Sequence, residues 1–244
     1  MARSSEFNFE RKAEARSAIT VHLGTTVGSI IFYLVTALIL STISVNIFPG
    51  SDVASTIGFM AVNFLVSLFL GLLMYGINTL HLSLVYGQDV SFGGLFEGFR
   101  RGVNDRIIKV QAVLTAVNFV CTLPATLYAS KLTGLEGIRT HLLPLAGLYL
   151  LGSIAEIWFA LGFAMCYFLI ADFPEMSSAQ VLRTSVRMMK GHRWRLFVME
   201  LSFLPLYFLS LLSFGIAALW VFSYEAASTA SFYKWLAGNQ PVSQ

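Results

Sequence analysis

Three acidic residues fall where a membrane-crossing chain tolerates them least. Glu156, Glu200 and Glu225 interrupt stretches that are otherwise uncharged and strongly apolar. A charge at the centre of a bilayer costs about 2.5–3.5 kcal/mol on insertion scales, so such residues face a bundle interior or water. A carboxyl group there either titrates along an ion or substrate path or stays protonated and hydrogen-bonded as a structural group. Glu200 has a third option, pairing with Arg193 or Arg195 at the membrane interface. No basic residue flanks Glu156 or Glu225 closely in the chain. His81 stands with Tyr75, Asn78 and Tyr86 near the end of another apolar stretch, which reads as a polar helix-packing cluster.

A second group of residues is basic. Arg183, Arg187 and Lys190 recur at i, i+4 and i+7 and form one stripe on a helix that opens with the capping-box pattern Ser177-Ser178-Ala179-Gln180. Val181, Leu182, Val186 and Met189 make its apolar face. Beside an anionic leaflet each basic residue gains about 1 kcal/mol, enough to hold such a helix flat on the surface. Phe92, Leu95, Phe96 and Phe99 likewise share one helical face, with Arg100 and Arg101 following, and read as an interfacial helix. These five basic residues are candidates for a lipid headgroup or a partner; the plainer reading is that they only retain their loops on one side. Catalytic patterns are missing: there is no phosphate loop ending in Gly-Lys-Ser/Thr, no His-Glu-x-x-His and no Cys-x-x-Cys. No catalytic residue, metal or cofactor is implied, and Cys121 and Cys166 read as two thiols buried in apolar surroundings.

The elements that must position these residues are membrane helices. Of 244 residues 56% are hydrophobic and 12% charged, with a mean hydropathy of +0.72; a soluble domain carries about 25% charged residues. That excludes a soluble enzyme, a secreted disulfide scaffold and a disordered chain. Apolar stretches of about 20 residues or more run over 24–48, 57–83, 107–130, 144–171, 195–213 and 215–236. They predict an all-α polytopic protein with six transmembrane helices in three hairpins. A cytoplasmic amphipathic N-terminal segment, 1–22, precedes a single transmembrane domain, 23–238, with cytoplasmic segments 84–106 and 172–194. The N-terminal segment is expected to be retained, because no short apolar region with a cleavage site follows it. Lys and Arg fix the orientation: four lie before the first stretch, four around 100–109, five between 183 and 195 and one at Lys234, against Lys131 and Arg139 on the opposite side. Both termini are therefore expected in the cytoplasm. Helices begin near 22, 107 and 193, about 85 residues apart, which suggests three similar units.

Tyr86-Gly87, Ser91-Phe92 and Leu95-Phe96-Glu97-Gly98-Phe99, then Ala171-Asp172 with Pro174, and above all Arg187-Met188-Met189-Lys190-Gly191-His192-Arg193-Trp194 with Phe197, resemble a family of bacterial integral-membrane proteins catalogued as domain of unknown function 975. The resemblance covers about residues 80–235. It implies a multi-pass bacterial plasma-membrane protein with no established activity and carries over no catalytic residues. The expected function is a non-enzymatic accessory, scaffold or homo-oligomeric membrane component. The alternative is a small transporter or channel using Glu156 and Glu225, and an intramembrane enzyme comes last. Expected partners are the bilayer, anionic inner-leaflet lipids, and a second copy or another membrane protein, with no nucleic acid. The orientation is testable: cysteines introduced near Asp52 and Glu136 should react with an impermeant thiol reagent in intact cells, and one near Ser177 should react only after permeabilisation. Labelling at 177 in intact cells reverses the assignment.

Overall fold

The computed structural model describes residues 2–48, 53–129 and 139–239, and all its regular elements are helical. In chain order they are α1 (Ala2–Val21), α2 (Leu23–Ile47), α3 (Val53–Val85), a 3-10 helix (Phe92–Phe99), α4 (Asn104–Ala129), α5 (Leu142–Phe163), α6 (Cys166–Asp172), α7 (Ser178–Met188), α8 (Arg193–Leu201), α9 (Leu204–Leu211) and α10 (Ile216–Asn239). The connections 49–52 and 130–138, with Asp52, Lys131 and Glu136, lie outside the described residues.

Among the described residues five segments are long and apolar enough to cross a membrane: Leu23–Ile47, Ile57–Val85, Asn104–Ala129, Leu142–Asp172 and Arg193–Leu211. Their outer surfaces expose Leu38, Ile39, Leu150, Leu151 and Leu209, the side chains a bilayer would cover. The expected sixth stretch is α10, which is not among them. It carries Glu225, Lys234 and a run of Ser and Thr, and most of its buried face is turned to protein. The fourth and fifth stretches are interrupted, at Ala164–Met165 between α5 and α6 and at Ser202–Phe203 between α8 and α9, where Pro205 occupies the first turn of α9. The α9–α10 turn is apolar and open, with Phe214 99% exposed.

The helix α3 sits at the centre, against α2, α4, α10 and the 3-10 helix; α4 packs on α5, and α1 lies along α10. The segment 92–99 differs from the expected interfacial α-helix. It is a 3-10 helix, in which residues three apart align, and it buries Leu95 and Gly98 against α3. A Cβ at Gly76 would overlap the Leu95 carbonyl, and one at Gly98 would overlap the Leu72 carbonyl. Backbone therefore touches backbone at two points, and the segment folds back along α3 by the 13 residues from Val85 to Leu72, about 20 Å. Phe92 and Phe96 pack edge-on to Phe32 of α2 at 5.9 and 5.5 Å, and Phe99 meets Phe69 at 5.4 Å.

The expected capping box of α7 is present: Ser177 Oγ accepts from the Gln180 amide, and Gln180 Oε1 accepts from the Ser177 amide at 2.9 Å. Its inward face is Val181, Thr184, Ser185 and Met188, with Met189 buried just beyond, while Leu182 and Val186 stay half-buried. Ser185 donates to the Gly162 carbonyl of α5 at 2.8 Å.

At the other end of the chain α1 is pinned to α10. Ala15 and Ile19 are fully buried; Glu14 accepts from Ser231 and, at 2.8 Å, from Lys234 Nζ, which also donates to the Val85 carbonyl at 2.9 Å. Burial alone would raise the Glu14 carboxyl, but hydrogen bonds from Lys234 and Ser231 and the charges of Lys234 and Arg11 outweigh it and hold it below its ordinary 4.5.

Two measurements check this packing. Gly76→Ala should destabilise the detergent-solubilised protein by about 1–3 kcal/mol or more, the usual cost of overpacking, read as a lower unfolding midpoint, whereas Gly94→Ala, where a Cβ meets nothing, should be nearly silent. Because Glu14 is depressed in the folded state, its stabilisation is complete above about pH 4.5 and lost as pH falls through the lower folded value. The stability gap between wild type and Glu14→Gln should therefore be constant at neutral pH and close below about pH 4.5.

Candidate functional site

The three acids that interrupt apolar stretches come from three different helices, Glu156 from α5, Glu200 from α8 and Glu225 from α10, and all line one cavity of about 540 Å³. Its remaining wall is supplied by α2, α3 and α4 and is mainly apolar, including Ile30, Met74, Leu114 and Phe159. Asn78, Asn118, Tyr167 and Thr229 add polar groups.

Each acid is held differently. The Asn118 amide of α4 donates to Glu156. The Tyr207 hydroxyl of α9 donates to Glu225, within the pair of packed helices that the turn after Leu211 joins. The Glu200 carboxyl makes no hydrogen bond or ion pair among the described residues, and the charge of Glu225 acts on it. The alternative pairing of Glu200 with Arg193 is not formed: Arg193 turns to α5, donating to the Trp158 carbonyl at 3.4 Å and lying 4.6 Å over the Trp158 ring.

The charge of a basic residue from the far end of the chain acts on Glu225. Lys12 of α1 stands over the Phe203 ring at 3.9 Å, and its charge is felt by Glu225. Burial pushes the Lys12 ammonium below its usual range; the Glu225 charge opposes that shift and Arg16 adds to it. No basic residue flanks Glu225 in the chain, but sequence distance says nothing about a helix that packs along α10 from the other end. Asn118 and Tyr207 were also missed. Asn118 could have been noticed as a polar residue inside an apolar stretch, whereas Tyr207 carries no such signal.

This arrangement favours positive charge. Carboxylates facing one partly apolar cavity repel one another more strongly than in water, and a cation or shared protons relieve that. Among the described residues no three His, Cys, Asp or Glu side chains are grouped closely enough to hold a metal ion.

The other singled-out residues lie elsewhere. His81 is fully buried between α3 and α10; with Nδ1 donating to the Ile77 carbonyl at 2.8 Å, Nε2 accepts from Ser223 Oγ at 3.0 Å. Arg183, Arg187 and Lys190 edge a separate groove of about 780 Å³ with Trp158, Arg193 and Trp194. Arg100 pairs with Glu97 at 3.6 Å and Arg101 is exposed; neither lines that groove. Tyr86, just past α3, and Tyr233 both donate to Asp172, at 3.1 and 2.8 Å. Burial, and then the Asp172 charge, push Tyr86 up to about 12.

No curated protein and no solved structure matches the chain. One family does, and its match begins at residue 6 and ends at residue 240, taking in the N-terminal helix as well as the stretch that carries the quoted motifs. Several apolar helices and a family match over nearly the whole chain make the same point: the chain belongs to the family described as Protein of unknown function (DUF975).

Proposed function

We propose that this protein is a non-enzymatic membrane carrier or receptor for small organic cations, with the cavity between α5, α8 and α10 as its binding site. The observation behind this reading is the convergence of Glu156, Glu200 and Glu225 on one cavity whose other walls are mainly apolar. Such walls suit a guest with an apolar body, and the acids suit a positive head. Asn118 and Tyr207 orient two of the acids, and Glu200 is left to meet the guest or to carry a proton. The accessory or scaffold role expected from the sequence asks for a solid bundle interior, and the cavity is the reason for preferring the carrier.

The accompanying topology is six membrane-embedded helices in three hairpins, in a bacterial plasma membrane, with both termini and the segments 84–106 and 172–194 on the cytoplasmic side. The support for it is the distribution of Lys and Arg, fourteen on that side and two on the other.

Equilibrium binding of tetraphenylphosphonium to the purified full-length protein tests the site. Glu156→Gln, Glu200→Gln and Glu225→Gln should each weaken binding by about tenfold or more, the scale of one lost charge-assisted contact, with folding kept because Gln preserves shape and hydrogen bonding. A triple Gln variant that binds as tightly as wild type overturns the proposal. So would silent Gln variants beside Glu→Leu variants destabilised by about 1–3 kcal/mol, the pattern of purely structural carboxyls.

A further inference from the structure

We propose that the groove between α5, α7 and the start of α8 holds one anionic phospholipid, phosphate at the basic rim and acyl chain along α5. The rim is made by Arg183 and Arg187 of α7 and by Lys190 just past its end, all exposed and bordering the same groove. None of the three pairs with an acid among the described residues. Like charges gathered at the edge of an apolar surface repel one another, and a phosphodiester relieves that with charge-assisted hydrogen bonds from the arginine forks.

Arg193 is the fourth cation and is already fixed. Its guanidinium carbon stands 4.6 Å from the centre of the Trp158 ring and the group passes close to Gly162, where a Cβ would meet Arg193 Nη2 at 2.8 Å. Ser185 donates to the carbonyl of that same Gly162, so a single residue of α5 seats both α7 and Arg193. The rim is therefore built before a ligand arrives.

A lipid is favoured over a free anion by the rest of the groove. Below the cations it is walled by Trp158, Phe163, Leu182, Val186 and Trp194. Trp158 and Trp194 are exposed, and tryptophan is characteristic of the headgroup level of a bilayer. From Trp158 the exposed row continues along α5 through Ile154 and Leu151, at helical spacings of four and three. That row is about 10 Å long, a track for an acyl chain that a soluble phosphate would leave empty.

The test uses the full-length protein in mild detergent with equal amounts of phosphatidylglycerol and phosphatidylcholine bearing identical chains, and reads retained lipid by native mass spectrometry. Phosphatidylglycerol should be retained preferentially, and millimolar inorganic phosphate should not displace it. Arg183→Gln/Arg187→Gln should lower its retention by about tenfold, the factor expected from one lost charge-assisted contact. Arg183→Lys/Arg187→Lys, keeping the charge, should lose less. Equal retention of the two lipids by the wild type overturns the proposal whatever the variants do. Displacement by phosphate alone assigns the rim to a free anion and also overturns it, as does a Gln variant that keeps the lipid. None of these outcomes bears on the acidic cavity, which shares no acid with this groove.

Discussion

Polar bonds made by one helix hold this bundle together. The polar side chains of α10 reach four other elements: Ser223 to His81 of α3, Ser231 and Lys234 to Glu14 of α1, Tyr233 to Asp172 of α6, and Glu225 to Tyr207 of α9. In an apolar surrounding an unmet polar group is expensive, so each of these bonds specifies where its partner helix sits. Apolar contact alone is permissive about register, because lipid tails compete for the same surfaces. A fully buried His81 fixes α10 against α3, and Lys234, bridging Glu14 and the Val85 carbonyl, ties α1 and α3 to the same point.

The acidic cavity follows from that arrangement. With α10 registered against α3, Glu225 faces the space between α5 and α8, and α9 brings the Tyr207 hydroxyl onto it. The α1 helix, clamped through Glu14, carries Lys12 toward the same acid. Two mostly polar anchors on α1 thus do different work: Glu14 fastens the helix, and Lys12 supplies a tethered counter-charge near an otherwise acidic site. The family to which the chain belongs offers no activity to compare, so chemistry has to be read from such placements.

Close backbone approach is the second organising element. Gly76 and Gly98 let the 3-10 segment lie directly on α3, where its Phe side chains fill the seam with α2. Gly162 differs: its carbonyl accepts from Ser185 of α7, and its missing side chain leaves room for the tip of the Arg193 guanidinium. The 3-10 segment is thus held to α3 by backbone contact, and α7 to α5 by the Ser185 hydrogen bond.

Composition and hydropathy determined by themselves that this is an all-helical chain with several helices able to cross a membrane, because the length of an apolar run is a local property. The capping box at Ser177 and Gln180 was legible for the same reason: both partners lie within one turn. So were the acids, since a Glu inside an apolar run is conspicuous wherever it later points. Tertiary structure alone decided that Glu156, Glu200 and Glu225 share a cavity, that Lys12 approaches Glu225, and that Arg193 lies on Trp158 rather than pairing with Glu200. It also decided that Phe92–Phe99 is a 3-10 helix laid against α3. An apolar pattern at i, i+3, i+4 and i+7 shows which side chains seek burial, while two glycines 22 residues apart, Gly76 and Gly98, settled the surface that received them. The physical reason is common to all of these: they are contacts between helices, set by packing and by the cost of unmet polar groups, and neither has a period in the sequence.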